Sequence, residues 1–133
     1  MDAALRKAVW ERANSKCEYC QIRHSSERLP FELEHVVARK HGGATQSDNL
    51  ALACFACNRY KGPNLAGIDP ETGNMVALFH PRRDAWEDHF FWEAAILRGR
   101  SPIGRATIAV LRINDTARIS HRSVLLASGD FSG

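Results

Sequence analysis

Two identical Cys-x-x-Cys pairs, Cys17-Glu-Tyr-Cys20 and Cys54-Phe-Ala-Cys57, account for every cysteine in the chain. A knuckle of this spacing turns both thiolates toward one centre, and two knuckles complete the sulfur tetrahedron of a zinc ion. Four thiolates leave no open position for a substrate, so such an ion is structural. The rival reading is a redox Cys-x-x-Cys, which needs one pair in a βαβ setting that is not seen here. Residues 21–53 separate the pairs, a longer interval than the about 15–20 residues of a plain zinc ribbon. Something else is therefore expected between the knuckles.

That interval and its far edge carry a second set of residues: Glu34-His35, Asn49, and Asn58 directly after Cys57. If both knuckles meet at one metal, a carboxylate, an imidazole and an amide are drawn together. Glu34 and Asn58 then offer oxygen ligands suited to a hard divalent cation, with water in the remaining positions. His35 is placed to take a proton from a water attacking a phosphorus, while the metal offsets charge on the phosphate and the leaving oxygen. Taken singly, each residue has a plainer role. His35 and Glu34 read as ordinary strand residues, Asn49 as a turn residue and Asn58 as a helix cap. Their joint occurrence between and beside the knuckles carries the functional reading.

The elements that must position them follow from pattern. Leu5, Ala8, Val9 and Ala13 share one face, predicting a helix over 4–13. Phe31–Val37 is rich in strand formers, and Leu50–Ala53 is a short apolar run leading into the second knuckle. His41-Gly42-Gly43 opens a loop, and residues 55–61 start a helix stopped by Gly62-Pro63. Asp69–Asn74 is a turn cluster followed by a strand-like Met75–Phe79. A helix is expected over 83–97, with Trp86, Phe90 and Leu97 on one side. Ser101-Pro102 marks another helix start, and Asp115 caps a last helix to about Ala127. The fold class is α+β. Residues 1–66 form a zinc-bound core with its N-terminal helix, and 67–133 a hairpin-like turn and helices packed on that core.

The chain has 133 residues, 44% hydrophobic and 25% charged, as an ordinary globular domain does. It has neither an apolar run of about 18 residues nor a signal-like N-terminus, so a cytoplasmic protein without membrane contact is expected. The net charge of +3 is mild but unevenly spread. Residues 98–133 carry six arginines, Arg98, Arg100, Arg105, Arg112, Arg118 and Arg122, against two acidic groups. Arginine suits phosphate contacts, making Arg105 and Arg112 candidates for nucleic-acid binding, with solvated helix faces as the alternative. Lys61, about one turn past Asn58, is a further candidate for a phosphate contact. The aromatic cluster Trp86, Phe90, Phe91 and Trp92 has acidic neighbours and reads as packing area.

The series Cys-x-x-Cys, Glu-His, Gly-Gly, Asp-Asn-Leu, Cys-x-x-Cys-Asn-x-x-Lys resembles the HNH endonucleases of the ββα-metal fold, the type with a four-cysteine zinc, over about residues 14–62. The segments 79–92 and 101–107 are similar to the C-terminal extension of small stand-alone bacterial HNH proteins. The resemblance implies that His35 is the general base and Glu34 the acidic metal ligand, where aspartate is commoner. It implies that Asn49 braces the loop and orients the base. Asn58 stands where the motif has its last histidine, as a second ligand to Mg²⁺ or Mn²⁺. It further implies hydrolysis of DNA through a single metal ion, giving 3′-hydroxyl and 5′-phosphate ends, with no small-molecule cofactor. A non-catalytic zinc module binding nucleic acid is the alternative, and a zinc-stabilised protein-interaction domain a third.

Overall fold

Asp2 begins helix α1 (Ala3–Arg12) by accepting a hydrogen bond from the Leu5 N–H at 2.7 Å, and Val9 is the residue this helix buries completely. Asn14 and Ser15 then take positive φ, a conformation that ends the helix and swings the chain into the first knuckle. A computed structural model of the chain describes residues 1–132. Strands β1 (Glu32–His35) and β2 (Leu50–Ala53) pair antiparallel, with Glu34 opposite Ala51 and His35 opposite Leu50. Every residue of β2 is buried, as expected of a short apolar strand between two layers. Cys54 caps helix α2 (Phe55–Lys61), its Sγ accepting from the Cys57 N–H at 3.4 Å. Gly62, at φ +49°, closes that helix ahead of Pro63.

The remainder is two more antiparallel hairpins and three helices. Strands β3 (Ala66–Ile68) and β4 (Met75–Ala77) flank the predicted turn cluster. Asp69 organises that turn, accepting from the Glu71 N–H at 3.0 Å and the Thr72 hydroxyl at 2.8 Å. The guanidinium of Arg105 grips the same carboxylate as a fork, at 2.9 and 3.0 Å. That fork holds the Asp69 carboxyl well below the usual carboxylate range.

The expected helix over 83–97 does not form. A single helical turn, α3 (Trp86–His89), passes into strand β5 (Phe90–Glu93). This strand turns at Ala94, with φ +51°, and pairs with β6 (Ile96–Gly99). The aromatic run fits either period, because Phe90, Phe91 and Trp92 are strong strand formers, and tertiary packing decides. Pairing Trp92 with Leu97 puts Phe90 and Leu97 into the core. Trp86 then lies 5.2 Å from Phe90 and 6.2 Å from Trp92, centroid to centroid. The indole N–H groups bind the first knuckle, Trp86 to the Tyr19 carbonyl at 2.8 Å and Trp92 to Gln21 Oε1 at 2.9 Å. Trp86, Phe90 and Trp92 thus pack the hairpin against the first knuckle, while Phe91 is exposed.

Helix α4 (Pro102–Val110) starts as expected, Ser101 Oγ accepting from the Gly104 N–H at 3.0 Å. The last helix, α5 (Thr116–Ser128), also falls where expected, but Asp115 makes no capping bond and pairs with Arg112 at 2.9 Å instead. No helix among the described residues is long and apolar enough to cross a membrane. The architecture is α+β, small antiparallel sheets and helices around one core that includes Tyr19, Leu50, Leu52, Phe90, Leu97, Leu111 and Ile113.

The contact of α4 with α3 tolerates no side chain. A Cβ on Gly104 would lie 2.0 Å from the His89 carbonyl oxygen. Gly104→Ala is therefore expected to destabilise the protein by about 3 kcal/mol, the upper range for forced overpacking. Denaturant unfolding of the two proteins checks this, and wild-type stability in the variant contradicts the packing described.

Candidate active site

The two knuckles meet. Bonds from the Cys17 N–H to the Ile22 carbonyl and from the Gln21 N–H to the Cys17 carbonyl, each 2.9 Å, bend the first one, with Gln21 at φ +65°. The second is the junction of β2 and α2. The four Sγ atoms lie within 4.8 Å of one another, all buried and none in a disulfide. Cys20 and Cys54 sulfurs are 3.8 Å apart, which matches the edge, about 3.8 Å, of a sulfur tetrahedron with 2.3 Å zinc–sulfur bonds. The donor set and its spacing thus fit the group that the motif implies.

Beside this cluster, β1, the residues that follow it and α2 enclose an open hollow of about 340 Å³, whose lining includes Glu34, His35, Arg39, Asn58 and Gly62. Three of the residues singled out in the sequence are therefore brought to one place. His35 Nε2 lies 2.8 Å from Thr45 Oγ1, leaving Nδ1 as the ring nitrogen without a partner among the described residues. Burial and, after it, the Arg39 cation push the imidazole below its ordinary pKa. The neutral form, able to take a proton, therefore prevails at neutral pH. The Asn58 side chain lines the hollow and has no hydrogen bond among the described residues.

Asn49 does not line the hollow. Its Oδ1 accepts from the Val37 N–H at 2.9 Å, while Nδ2 donates to the Val37 and Ala44 carbonyls at 3.0 and 2.9 Å. One side chain thus ties the end of β1 to the Gly-Gly loop that carries Thr45. Gly43 makes the tie possible, since a Cβ there would fall 1.7 Å from the Val37 oxygen.

Glu34 is 6% exposed. It accepts a hydrogen bond from the Tyr19 hydroxyl and lies 3.8 Å from the Lys61 ammonium. Burial raises its carboxyl from 4.5 to about 7 even though Lys61 and Tyr19 work the other way. Lys61 itself is 1% exposed and donates to the Val36 carbonyl at 2.8 Å. The expectation that Lys61 reaches a phosphate is corrected: the end of α2 packs on β1 and turns this side chain inward. Arg105 is held by Asp69, and Arg112 pairs with Asp115 and lies 4.8 Å over the Tyr60 ring. Arg98 pairs with Glu93 and Arg100 lies over Phe91. Arg122 is buried, bonded to the Ala95 and Ile113 carbonyls. Each of these arginines thus has a partner within the protein, with Arg98 and Arg112 still about half exposed. Sequence reasoning gives no role to Tyr19 or Thr45 and names Arg118 only among the C-terminal arginines, yet its Nη2 lies 3.0 Å from Cys57 Sγ. The position of Thr45 in the glycine loop was a usable signal. Arg118, 61 residues beyond Cys57, gave none.

Residues 17–64 match the family model described as HNH endonuclease, so this segment carries an HNH domain, as the motif suggested. The chain is 25% identical over 126 residues to the Septu protein PtuB of Bacillus thuringiensis, a match covering 93% of this chain and 46% of that protein. It is 28% identical over 138 aligned positions to the Septu protein PtuA of Bacillus mycoides strain KBAB4, covering 83% of this chain and 19% of that protein. The chain thus spans less than half the length of these curated relatives. No solved structure matches it.

The buried carboxyl makes stability depend on pH. A group whose folded pKa, about 7, lies above its unfolded value binds its proton more tightly in the folded state. Its contribution is full below the unfolded value and is lost as pH rises through the folded one. Measured without added divalent cation, wild-type stability relative to Glu34→Gln is expected to fall by about 1 kcal/mol between about pH 6 and about pH 8. Paired denaturation curves test this, and a pH-independent difference contradicts it.

Proposed function

We propose that this chain is a metal-dependent endonuclease that hydrolyses phosphodiester bonds in DNA, acting in the cytoplasm. The observation that carries the reading is the convergence of Glu34, His35 and Asn58 on one open hollow inside the segment that matches the HNH family. Residues 1–66 would supply the chemistry and 67–133 the packing that supports it. Zinc is the ion assigned to Cys17, Cys20, Cys54 and Cys57, because four buried sulfurs at this spacing suit it and leave no coordination site for substrate. Mg²⁺ or Mn²⁺ is assigned to Glu34 and Asn58, a carboxylate and an amide oxygen being hard donors. Such an ion, when bound, offsets the charge that builds on the phosphate and the leaving oxygen.

The chain's own residues do the rest. Thr45 engages Nε2 of His35, which leaves Nδ1 to accept the proton of the attacking water. Asn49 fixes the loop that holds Thr45, and so fixes the ring. Burial and, after it, the Arg39 cation favour the neutral imidazole that can take this proton. Tyr19 and Lys61 hold Glu34 from within, at the wall of the hollow.

A second reading, a zinc module that binds nucleic acid without cutting it, has one observation in its favour: the Glu34 carboxylate already has two protein partners. Supercoiled plasmid incubated with Mg²⁺ or Mn²⁺ separates the two. Nicking is expected from the wild type and none when the divalent cation is omitted. His35→Ala is expected to lose on the order of 10²–10⁴-fold in rate, with zinc content, melting and DNA affinity unchanged. Cleavage by this variant at more than half the wild-type rate removes His35 as the base. Binding without nicking by the wild type selects the second reading.

A further inference from the structure

Helix α5 lies outside the segment that matches the HNH family, yet one of its side chains enters the cysteine cluster. Arg118 Nη2 is 3.0 Å from Cys57 Sγ and 3.9 Å from Cys54 Sγ. Its Nη1 donates to the Leu111 carbonyl at 2.7 Å, which fixes the guanidinium plane. One turn on, Arg122 is anchored to the Ala95 and Ile113 carbonyls, each at 2.9 Å, and His121 Nε2 sits 3.0 Å from the Ser26 carbonyl. Residues 118, 121 and 122 share one helical face, so α5 is clamped along the side that meets the metal cluster.

The placement has an electrostatic logic. A cation held against neutral thiols away from water is costly. Against thiolates it is stabilised, and the bond to sulfur becomes charge-assisted. Zinc held by four thiolates would carry a net double negative charge, and the Arg118 guanidinium lies against one of those sulfurs.

We propose that Arg118 is a positioning residue of the four-cysteine site: it donates to the Cys57 thiolate, slows loss of the ion, and makes α5 part of the metal clamp. The proposal rests on the zinc reading above and is independent of whether the chain cuts DNA. It gives the C-terminal extension a physical task, retention of the ion that folds the HNH segment.

The test uses the full-length protein. Elemental analysis of the wild type comes first, because a zinc-free wild type would defeat the zinc reading itself. With zinc present, its transfer to an excess of a chromogenic chelator is followed for wild type, Arg118→Gln, Arg118→Lys and, as a control, the exposed Arg98→Gln. Groups that orient metal ligands are typically worth 10–100-fold in metal affinity. Release from Arg118→Gln is expected to be faster by about that factor, release from Arg118→Lys intermediate, and release from Arg98→Gln unchanged. The cobalt(II)-substituted proteins supply a readout that general loosening would not move. Without the bond to Arg118 the sulfur lone pair rises in energy, and the sulfur-to-cobalt charge-transfer band should shift to longer wavelength. Wild-type release with an unshifted band in Arg118→Gln overturns the proposal. If that variant does not fold, the same result in Arg118→Lys overturns it.

Discussion

Four thiols drawn to one point govern the rest of this molecule. The first pair sits on a turn after a helix, the second on the junction between a buried strand and the helix it caps. Joining them folds residues 21–53 back on themselves and presses β1, β2 and α2 together. A metal site of this kind supplies folding free energy directly, because the unfolded chain has no preformed site. The hollow with Glu34, His35 and Asn58 lies on the outer side of that assembly, so its geometry inherits its order from the sulfur cluster. Arg118 extends the dependence to the far end of the chain, and the indoles of Trp86 and Trp92 reach the first knuckle from the hairpin side.

Within the clamp, two polar devices divide the work. The outer one is Asn49, whose three hydrogen bonds tie strand to loop and whose partner Gly43 permits a backbone approach that a side chain would block. The inner one is the trio of Tyr19, Glu34 and Lys61, nearly sealed from solvent. Buried polar groups destabilise unless they are satisfied, and here each has a partner. The carboxylate wall of the hollow is thereby held in place, while burial raises its pKa against the pull of both partners.

Much of this was legible in the sequence, because spacing carries the information that matters near a metal. Two Cys-x-x-Cys pairs, a Glu-His dipeptide, a glycine loop and Asn58 after the last cysteine predict what converges where. Strand β2, helix α2 and the Ser101-Pro102 helix start follow from equally local signals. The failures share one cause, tertiary context. Residues 90–93 satisfy both helical and strand periods, and only the core face available to Phe90 and Leu97 selects the hairpin. The direction of Lys61 depends on how α2 rolls against β1, which no periodicity states. The arginines of the last third looked like a basic surface because their partners, Asp69, Glu93, Asp115, a tyrosine ring and a cysteine sulfur, lie elsewhere in the chain or gave no pairing signal. Arg118 is the clearest example: its importance is set by one contact across 61 residues.

The central claim is that Glu34 and Asn58, held together by the sulfur clamp, bind the ion with which His35 works. Its most direct test is plasmid nicking by zinc-loaded wild type and Asn58→Ala, titrated with Mn²⁺. Asn58→Ala removes an oxygen ligand but leaves the carboxylate and the base in place, so the variant should need more Mn²⁺ for half-maximal rate and recover part of its activity at high concentration. The same Mn²⁺ dependence in both proteins would contradict the account and place the ion elsewhere.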